Sequence, residues 1–197
     1  SVLAVTEKGN LLSAPDTYME KMAIGSNLPK NLLNLDNSIK KNISLLSDAK
    51  NTVPEKITAC ILDRPRHSKI IQELKSLKVK INFIPDGDVY GAIAVIDENS
   101  PVDIYLGIGG GPEGVLAAAA LSCFNAQMQS RLVLDKEESK RAVKLGIRDI
   151  KKQYSIDEMV KGDVIFCATG ITDGELVKGV RSNNDAFTVE TFALHKS

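Results

Sequence analysis

The sequence predicts an α/β fold, with helices packed against sheet, and two observations lead to this prediction. Short apolar runs rich in β-formers alternate with stretches of helical periodicity along almost the whole chain. The 197 residues are 43% hydrophobic and 25% charged, which is enough apolar material for a core in one domain or two small lobes. Neither an internal repeat nor a low-complexity tract interrupts this alternation.

The elements follow one another in a regular order. Strands are predicted where apolar runs are bounded by turn residues, at residues 2–5, 57–63, 79–85, 103–108, 129–134, 163–169 and 187–194. Helices are predicted where apolar residues recur every three or four positions, at residues 37–50, 67–77, 87–96, 112–123 and 135–146, the last with Gly146 as its C-cap. Residues 17–24 fit either a short helix or a strand, and residues 25–36 are a candidate linker.

Charge and cysteine content narrow the range of partners. Lys and Arg number 25, as do Asp and Glu, so no basic surface for nucleic acid or for a membrane is indicated. No apolar run approaches the ~18 residues that span a bilayer, and the N-terminus lacks a signal-peptide pattern. Cys60, Cys123 and Cys167 are widely spaced among apolar residues, and we interpret them as reduced core residues. These features predict a cytoplasmic protein that binds neither nucleic acid nor membranes.

Two arginines follow the predicted strand at 57–63, in the segment 61-ILDRPRH-67. A guanidinium group is planar and can bind two phosphate oxygens at once, and Pro65 would stiffen the loop that holds Arg64 and Arg66. His67 is a candidate third donor. The alternative is that both arginines pair with surface carboxylates and that Pro65 only ends the strand. Ligands of α/β folds bind where strands end, so this loop is a candidate phosphate site.

Two carboxylates follow the next strand, in the segment 85-PDGDVYGAI-93. Asp86 and Asp88 flank Gly87, so both can turn toward one ligand. They are suited to sugar hydroxyls or to a hard cation such as Mg²⁺ or Mn²⁺. The alternative is structural, because Asp is a preferred N-cap and Asp-Gly is a common turn.

The segment 107-GIGGGPEGV-115 joins a strand to an alanine-rich helix. Residues 109–114 formally match the dinucleotide pattern G-x-G-x-x-G, and Asp135 lies at the expected distance. However, Glu113 would place a negative charge where that pattern binds a pyrophosphate, and Pro112 removes one of the donors. Proline followed by glutamate is also a good helix start in its own right. Our hypothesis is that Glu113 is a ligand of a divalent metal ion.

These segments, with 14-APDTYMEKM-22 and 168-ATGITDG-174, resemble in order and spacing the GlpX-type class II fructose-1,6-bisphosphatases, including the bifunctional fructose-1,6-/sedoheptulose-1,7-bisphosphatases of photosynthetic bacteria. The resemblance covers nearly the whole chain. It implies the layered α/β/α/β/α fold of the lithium-sensitive phosphatase superfamily. Residues 1–55 would end an N-terminal metal-binding lobe, and residues 56–197 would form a C-terminal sugar-phosphate-binding lobe.

The resemblance also implies an activity. Enzymes of this family use Mn²⁺ or Mg²⁺ to remove the 1-phosphate of fructose 1,6-bisphosphate in gluconeogenesis or the Calvin cycle, and sedoheptulose 1,7-bisphosphate is a further candidate substrate. The family suggests dimers or tetramers. The positions that match the family's substrate site are Tyr18, Arg64, Pro65, Arg66, Asp86, Gly87, Asp88 and Gly110. Glu113 matches a metal ligand.

The chain departs from the family in one respect. The other metal carboxylates and the Asp-Pro-Ile-(Asp/Glu)-Gly-Thr motif of the family belong upstream of Ser1, and no such string occurs here. The chain is therefore expected to correspond to the C-terminal part of such an enzyme, to contain no catalytic residue and to be inactive alone. Two alternatives stay open, a dinucleotide-binding domain built on residues 109–114 and a non-catalytic sugar-phosphate-binding module.

Overall fold

The computed structural model describes all 197 residues and contains eleven strands and six α-helices. The strands are β1 (Val2–Thr6), β2 (Tyr18–Ile24), β3 (Thr58–Leu62), β4 (Lys80–Ile84), β5 (Ile104–Gly110), β6 (Gln127–Val133), β7 (Gln153–Ser155), β8 (Val164–Thr169), β9 (Arg181–Asn183), β10 (Ala186–Thr188) and β11 (Thr191–Lys196). The helices are α1 (Ile39–Ala49), α2 (Ser68–Ser76), α3 (Asp88–Ile93), α4 (Gly111–Ser122), α5 (Lys136–Lys144) and α6 (Ile156–Met159).

A mixed six-stranded sheet forms the centre of the molecule, in the order β4-β3-β5-β2-β6-β7. Strand β3 is parallel to both β4 and β5, whereas β2 is antiparallel to β5 and β6. The carboxyl ends of β3, β4 and β5 therefore meet the beginning of β2 at one edge of the sheet. In the register of the sheet, Tyr18 lies opposite Gly110 on one side and Val133 on the other.

Helices cover both faces of this sheet. Successive side chains of a strand point to opposite faces, and here both faces carry apolar side chains that need to be buried. Met22, Ile24 and Leu106 point to one face, where they join the core formed with α1 and α2. Met19 and Tyr105 point to the other face, where they join the alanines of α4 and the residues of α3. The near-continuous apolar composition of α4 is explained by its position, since nine of its residues are buried.

A three-stranded antiparallel sheet in the order β1-β8-β11 packs on the far side of α4. Phe166 and Phe192 line its inner face, with their rings 6.5 Å apart in an edge-to-face arrangement. Val5 and Ile165 lie on its outer face and are about half exposed, at 54% and 48%. The layers thus run helix, sheet, helix, sheet. The α/β class is confirmed, and the lithium-sensitive phosphatase fold in its five-layered form stays a prediction.

The structure settles the open element assignments. Residues 17–24 form strand β2 rather than a helix, and residues 25–36 form a loop without helix or strand. The single strand predicted at 187–194 is wrong, because the chain breaks there into β10, which pairs with β9, and β11, which pairs with β8. Helix α5 begins with a capping box at Asp135 and is followed by Gly146 at φ +90°, as its C-terminal signal predicted.

Three short elements, β7, β9 and α6, were not predicted, since three or four residues are too few to show a period. The lobe boundary between residues 55 and 56 stays a prediction. None of the helices combines the length and the hydrophobicity needed to cross a bilayer.

Candidate functional site

The residues predicted for a binding site lie along one edge of the six-stranded sheet. Tyr18 begins β2, the arginine loop follows β3, the segment 86–88 follows β4, and Gly110 ends β5. The loops after β3 and β4 are tied together by a hydrogen bond from the Asp63 N–H to the Ile84 carbonyl, at 2.9 Å. Segments that are far apart in the sequence thus meet where α/β folds place their ligands.

Arg66 is held by two contacts at this edge. Its guanidinium lies 4.9 Å from the centre of the Tyr18 ring, a cation–π distance. Its Nε donates to the Ile108 carbonyl at 2.8 Å. The two terminal nitrogens of the guanidinium make no hydrogen bond to the protein, and the side chain is exposed. Arg66 is therefore oriented in advance, with its terminal nitrogens available to an anion.

Arg64 and Pro65 lie in the same loop. Pro65 is the first residue of a short 3₁₀ helix, and Arg64 directly precedes it in an extended conformation. Arg64 donates from Nη1 to the Asp63 carbonyl at 3.1 Å and is only partly buried. No contact of this structure joins Arg64 to Tyr18 or to the acids of the site. It lies in the loop beside Arg66, and neither arginine pairs with a carboxylate.

The segment 86–88 contains two carboxylates in different environments. Asp86 is exposed and accepts a hydrogen bond from the Gly87 N–H at 2.8 Å. Gly87 has φ +82°, a conformation that glycine adopts without strain, and this turn directs Asp88 inward. Asp88 is only 8% exposed. The two acids are thus not equivalent, and only Asp86 is freely accessible.

Asp88 is buried because it pairs with a lysine that the sequence analysis did not assign to the site. Lys21, in the middle of β2, forms an ion pair with Asp88 and also donates to the Gly110 carbonyl at 2.7 Å. Burial lowers the pKa of the Lys21 ammonium, and the Asp88 carboxylate acts in the opposite direction. A signal was present in the sequence, since Lys21 falls on the same strand face as buried Met19 and Ala23.

Glu113 lies in the first turn of α4. The glycines that precede it lack side chains, so the backbone there can pass close to neighbouring residues. Its carboxylate folds back over Gly110, and a Cβ atom added at that glycine would overlap it. Pro112 occupies the first turn without needing an N–H, as expected of a helix start. Glu113 is exposed and forms no ion pair within the chain. Its oxygens are free to meet a cation.

Glu113 fits a divalent cation as a single ligand, but the chain offers no complete metal site. No group of three or more His, Cys, Asp or Glu side chains is arranged to hold an ion. Asp88 has its charge engaged by Lys21, which leaves Glu113, Asp86 and Asp63 as the accessible acids of the edge. Since Mg²⁺ and similar ions need several oxygen ligands, further ligands would have to come from substrate, water or other protein residues.

Two further groups near the edge are not available to a ligand. His67 is fully buried, with Nδ1 2.7 Å from the Leu62 carbonyl and Nε2 accepting from the Ile108 N–H at 2.8 Å. It therefore links the arginine loop to β5 and does not add a third donor for a phosphate. Burial raises the pKa of the Cys60 thiol to about 12, which keeps it protonated and unreactive.

The geometry does not favour the dinucleotide alternative. In a dinucleotide fold the parallel strands before and after the glycine-rich helix are hydrogen-bonded neighbours, and the acid after the second of them binds the ribose. Here the antiparallel strand β2 separates β5 from β6, and Asp135 caps α5. The Gly111 N–H already donates to the Thr17 carbonyl at 2.7 Å, and Pro112 has none to offer. Little of the helix N-terminus is left for a pyrophosphate.

The comparisons with known proteins agree on one family. The model of the bacterial fructose-1,6-bisphosphatase family encoded by glpX matches residues 1–197. A protein from Synechocystis sp., named D-fructose 1,6-bisphosphatase class 2/sedoheptulose 1,7-bisphosphatase, is 36% identical over 195 residues, which cover 92% of this chain and 56% of that protein. A fructose-1,6-bisphosphatase class 2 from Haemophilus influenzae is 35% identical over 209 residues, which cover 98% of this chain and 62% of that protein.

A third relative, from Synechococcus sp. strain JA-3-3Ab, carries the same name as the Synechocystis protein and is 35% identical over 208 residues, with 98% of this chain and 60% of the relative covered. The chain therefore spans between 56% and 62% of the length of the curated relatives described here.

Proposed function

Since this chain belongs to the glpX-encoded family of bacterial fructose-1,6-bisphosphatases, we propose that it forms the sugar-phosphate-binding part of a metal-dependent phosphatase acting on fructose 1,6-bisphosphate. The observation that carries the proposal is that both signs of charge are left without a partner at one edge of the sheet. The terminal nitrogens of Arg66 make no hydrogen bond to the protein, and the carboxylates of Asp86 and Glu113 are exposed and form no ion pair. A molecule with a phosphate at one end and hydroxyls or a bound cation at the other suits this arrangement.

The arginine loop after β3 is assigned to the phosphate that is not hydrolysed. The terminal nitrogens of Arg66 have no protein partner and can bind two phosphate oxygens at once. Tyr18 stacks on the same guanidinium, and Arg64 and Pro65 complete the loop. An interaction made equally before and during the reaction strengthens binding without changing the chemical step. Arg66 is therefore assigned to substrate binding and orientation.

The sugar itself is assigned to the segment 86–88. Asp86 and Asp88 would accept hydrogen bonds from sugar hydroxyls, and Gly87 allows the turn that brings them together. Gly110 would approach the sugar with its backbone. The names of the relatives from Synechocystis and Synechococcus support sedoheptulose 1,7-bisphosphate as a second candidate substrate.

Glu113 is assigned to the metal, Mn²⁺ or Mg²⁺. A divalent cation bound beside the scissile phosphate supplies charge neutralisation and activates a water molecule. Glu113 would contribute one oxygen ligand to it, and its carboxylate lies close over Gly110. The remaining ligands and the residues that deprotonate water are assigned to parts of the enzyme with no counterpart among these 197 residues. We further propose the five-layered lithium-sensitive phosphatase fold, and dimers or tetramers, for the whole protein.

The proposal is tested by binding to the chain itself. Fructose 6-phosphate keeps the phosphate assigned to Arg66, so calorimetric titration should detect its binding, whereas NAD⁺ should give no signal. Arg66→Ala should weaken the affinity for fructose 6-phosphate by about tenfold or more, because a charge-assisted hydrogen bond is lost. Arg148→Ala is the matched control, since this arginine is also exposed and belongs to none of the segments assigned to the substrate. An equal loss of affinity for fructose 6-phosphate in both variants would contradict the proposal, and so would the absence of binding by the unaltered chain.

A further inference from the structure

Lys21 is a charged residue in a position that usually holds an apolar one. It is 1% exposed, in the centre of the six-stranded sheet, and its neighbours on the same strand face are Met19 and Ala23. Burying an ammonium group costs several kcal/mol unless it is paired and hydrogen-bonded. A methionine would fill the same space without that cost, so stability alone does not explain the lysine.

The buried lysine side chain connects two segments of the proposed site, the start of α3 and the end of β5. Its ammonium pairs with Asp88, which begins α3, and it donates to the carbonyl of Gly110, which ends β5. The first of these residues follows strand β4, and the second is the last residue of β5. An ammonium group has three donors, and here two of them are used to fix one site segment against another.

Two glycines of the segment 109-GGGPEG-114 make room for this arrangement. A Cβ atom at Gly109 would lie 3.2 Å from the Lys21 Nζ and would overlap the Asp88 carboxylate. A Cβ atom at Gly114 would lie 3.4 Å from the Lys21 Cδ and would overlap the Met19 sulfur. The glycines at these two positions, which belong to the pattern that resembles a phosphate-binding motif, thus leave space for a buried ion pair.

We propose that Lys21 is a positioning residue for the sugar-binding segments, an inference that rests on the proposed function. Its ammonium neutralises Asp88 and holds one oxygen of that carboxylate, so the other oxygen is directed toward a sugar hydroxyl. The bond to Gly110 fixes the turn before Glu113. Lys21 also separates the roles of two acids, because Asp88 has its charge satisfied within the protein while Glu113 keeps a free negative charge.

The test compares Lys21→Met, which keeps length and removes charge, with Met19→Leu, a volume-conserving change on the same strand face. Calorimetry with fructose 6-phosphate and with inorganic phosphate separates the sugar from the anion. Lys21→Met should weaken fructose 6-phosphate binding by about tenfold and leave phosphate binding almost unchanged, because the contacts that hold Arg66 are made to Tyr18 and Ile108 and not to Lys21. Met19→Leu should change neither. Unchanged affinity for fructose 6-phosphate, or a parallel loss of both ligands, would overturn the inference.

A measurement without ligand distinguishes this inference from the proposed function. The Gly91 amide donates to the Gly87 carbonyl, and the Gly111 amide donates to the Thr17 carbonyl, so both report on the two segments. Hydrogen exchange at both amides should be faster in Lys21→Met than in Met19→Leu. If the unaltered chain binds no sugar phosphate, the proposed function fails, and the exchange rates alone decide the role of Lys21, with unchanged rates refuting it.

Removal of Lys21 alone leaves Asp88 buried without a partner, and Lys21→Met could unfold for that reason. The double variant Asp88→Asn/Lys21→Met removes both charges and leaves neither unpaired. It is compared with Asp88→Asn, in which Lys21 keeps the Gly110 carbonyl as an acceptor. In this background the second change should speed exchange at Gly111, because the Gly110 carbonyl loses its donor, and should not weaken fructose 6-phosphate binding much further. An additive tenfold loss of affinity would show that Lys21 does not act through Asp88.

Discussion

Tyr105 shows how tightly single residues are packed beneath the site. Its ring is fully buried, and its hydroxyl is the one buried side-chain oxygen or nitrogen without a hydrogen-bond partner. Burial raises the pKa of this phenol well above its usual value, with a further contribution from the nearby Asp88 carboxylate. The hydroxyl therefore stays protonated and contributes nothing evident to the fold.

Tyr105→Phe should consequently stabilise the chain. Removing a buried hydroxyl that has no partner recovers its desolvation penalty, on the order of 1–3 kcal/mol, and leaves the ring in place. Thermal unfolding followed by circular dichroism measures the change. Tyr18→Phe is a suitable control, because the Tyr18 side chain is half exposed and its loss of a hydroxyl should leave the melting temperature nearly constant. A lower melting temperature for Tyr105→Phe would mean that the hydroxyl has a partner.

At the level of residues, the gathering of the candidate residues at one edge was predictable in part. Arg66, Asp88 and Glu113 were identified because each follows a strand, and strand ends gather at one edge in α/β folds. Lys21 was missed because it lies inside a strand. A lysine among apolar residues gives no information in the sequence about which distant carboxylate it pairs with. Asp88 lies 67 residues further along the chain. His67 was identified as a candidate donor, but its burial depends on contacts with Ile108 that no local pattern encodes.

Helix α3 shows that elements, too, depend on contacts with distant residues that the local sequence does not encode. Gly91 is a poor helix former in the middle of a six-residue helix. A Cβ atom at this position would lie 2.8 Å from the Tyr105 Cε2 and 2.7 Å from the Ile84 Cδ1, so the glycine lets the helix approach the sheet. Packing thus overrides helix propensity, and the same close approach brings Asp88 within reach of Lys21.

Gly91→Ala should therefore destabilise the chain, although alanine is the better helix former. We expect a loss of about 1–3 kcal/mol of unfolding free energy, typical of overpacking against a ring. Urea denaturation measures it. Gly174→Ala serves as the control, because the atom nearest to a Cβ there lies at 3.6 Å, an ordinary contact. A stabilised Gly91→Ala variant would show that α3 can move away from the sheet without penalty.

Most elements were predictable because their period is local, whereas the sheet order was not. Strand β2 was ambiguous in sequence since YMEKMAI alternates poorly, and only its place between β5 and β6 makes it a strand. Tyr18 pairs there with Gly110 and Val133, both distant in sequence. The strand predicted at 187–194 failed for a similar reason. Its two halves join different sheets, which depends on partners and not on composition.

On the scale of the whole molecule, the chain should bind sugar phosphates without hydrolysing them. Its 197 residues contain no string like Asp-Pro-Ile-(Asp/Glu)-Gly-Thr and no cluster of acids that could complete a metal site around Glu113. Incubation with fructose 1,6-bisphosphate and Mn²⁺ or Mg²⁺ should release no phosphate in a colorimetric assay. The Haemophilus influenzae relative is the positive control. Metal-dependent turnover that disappears in Glu113→Ala would prove this expectation wrong.

The edge of the six-stranded sheet has one more consequence, which concerns folding. The groups proposed to bind substrate come from the start of β2, from the loops after β3 and β4, and from the end of β5, so they can form a site only once these strands have assembled. A sugar phosphate that bridges them would therefore act as a reversible cross-link. At a hundred times its dissociation constant, such a ligand adds about 2.7 kcal/mol to the free energy of unfolding.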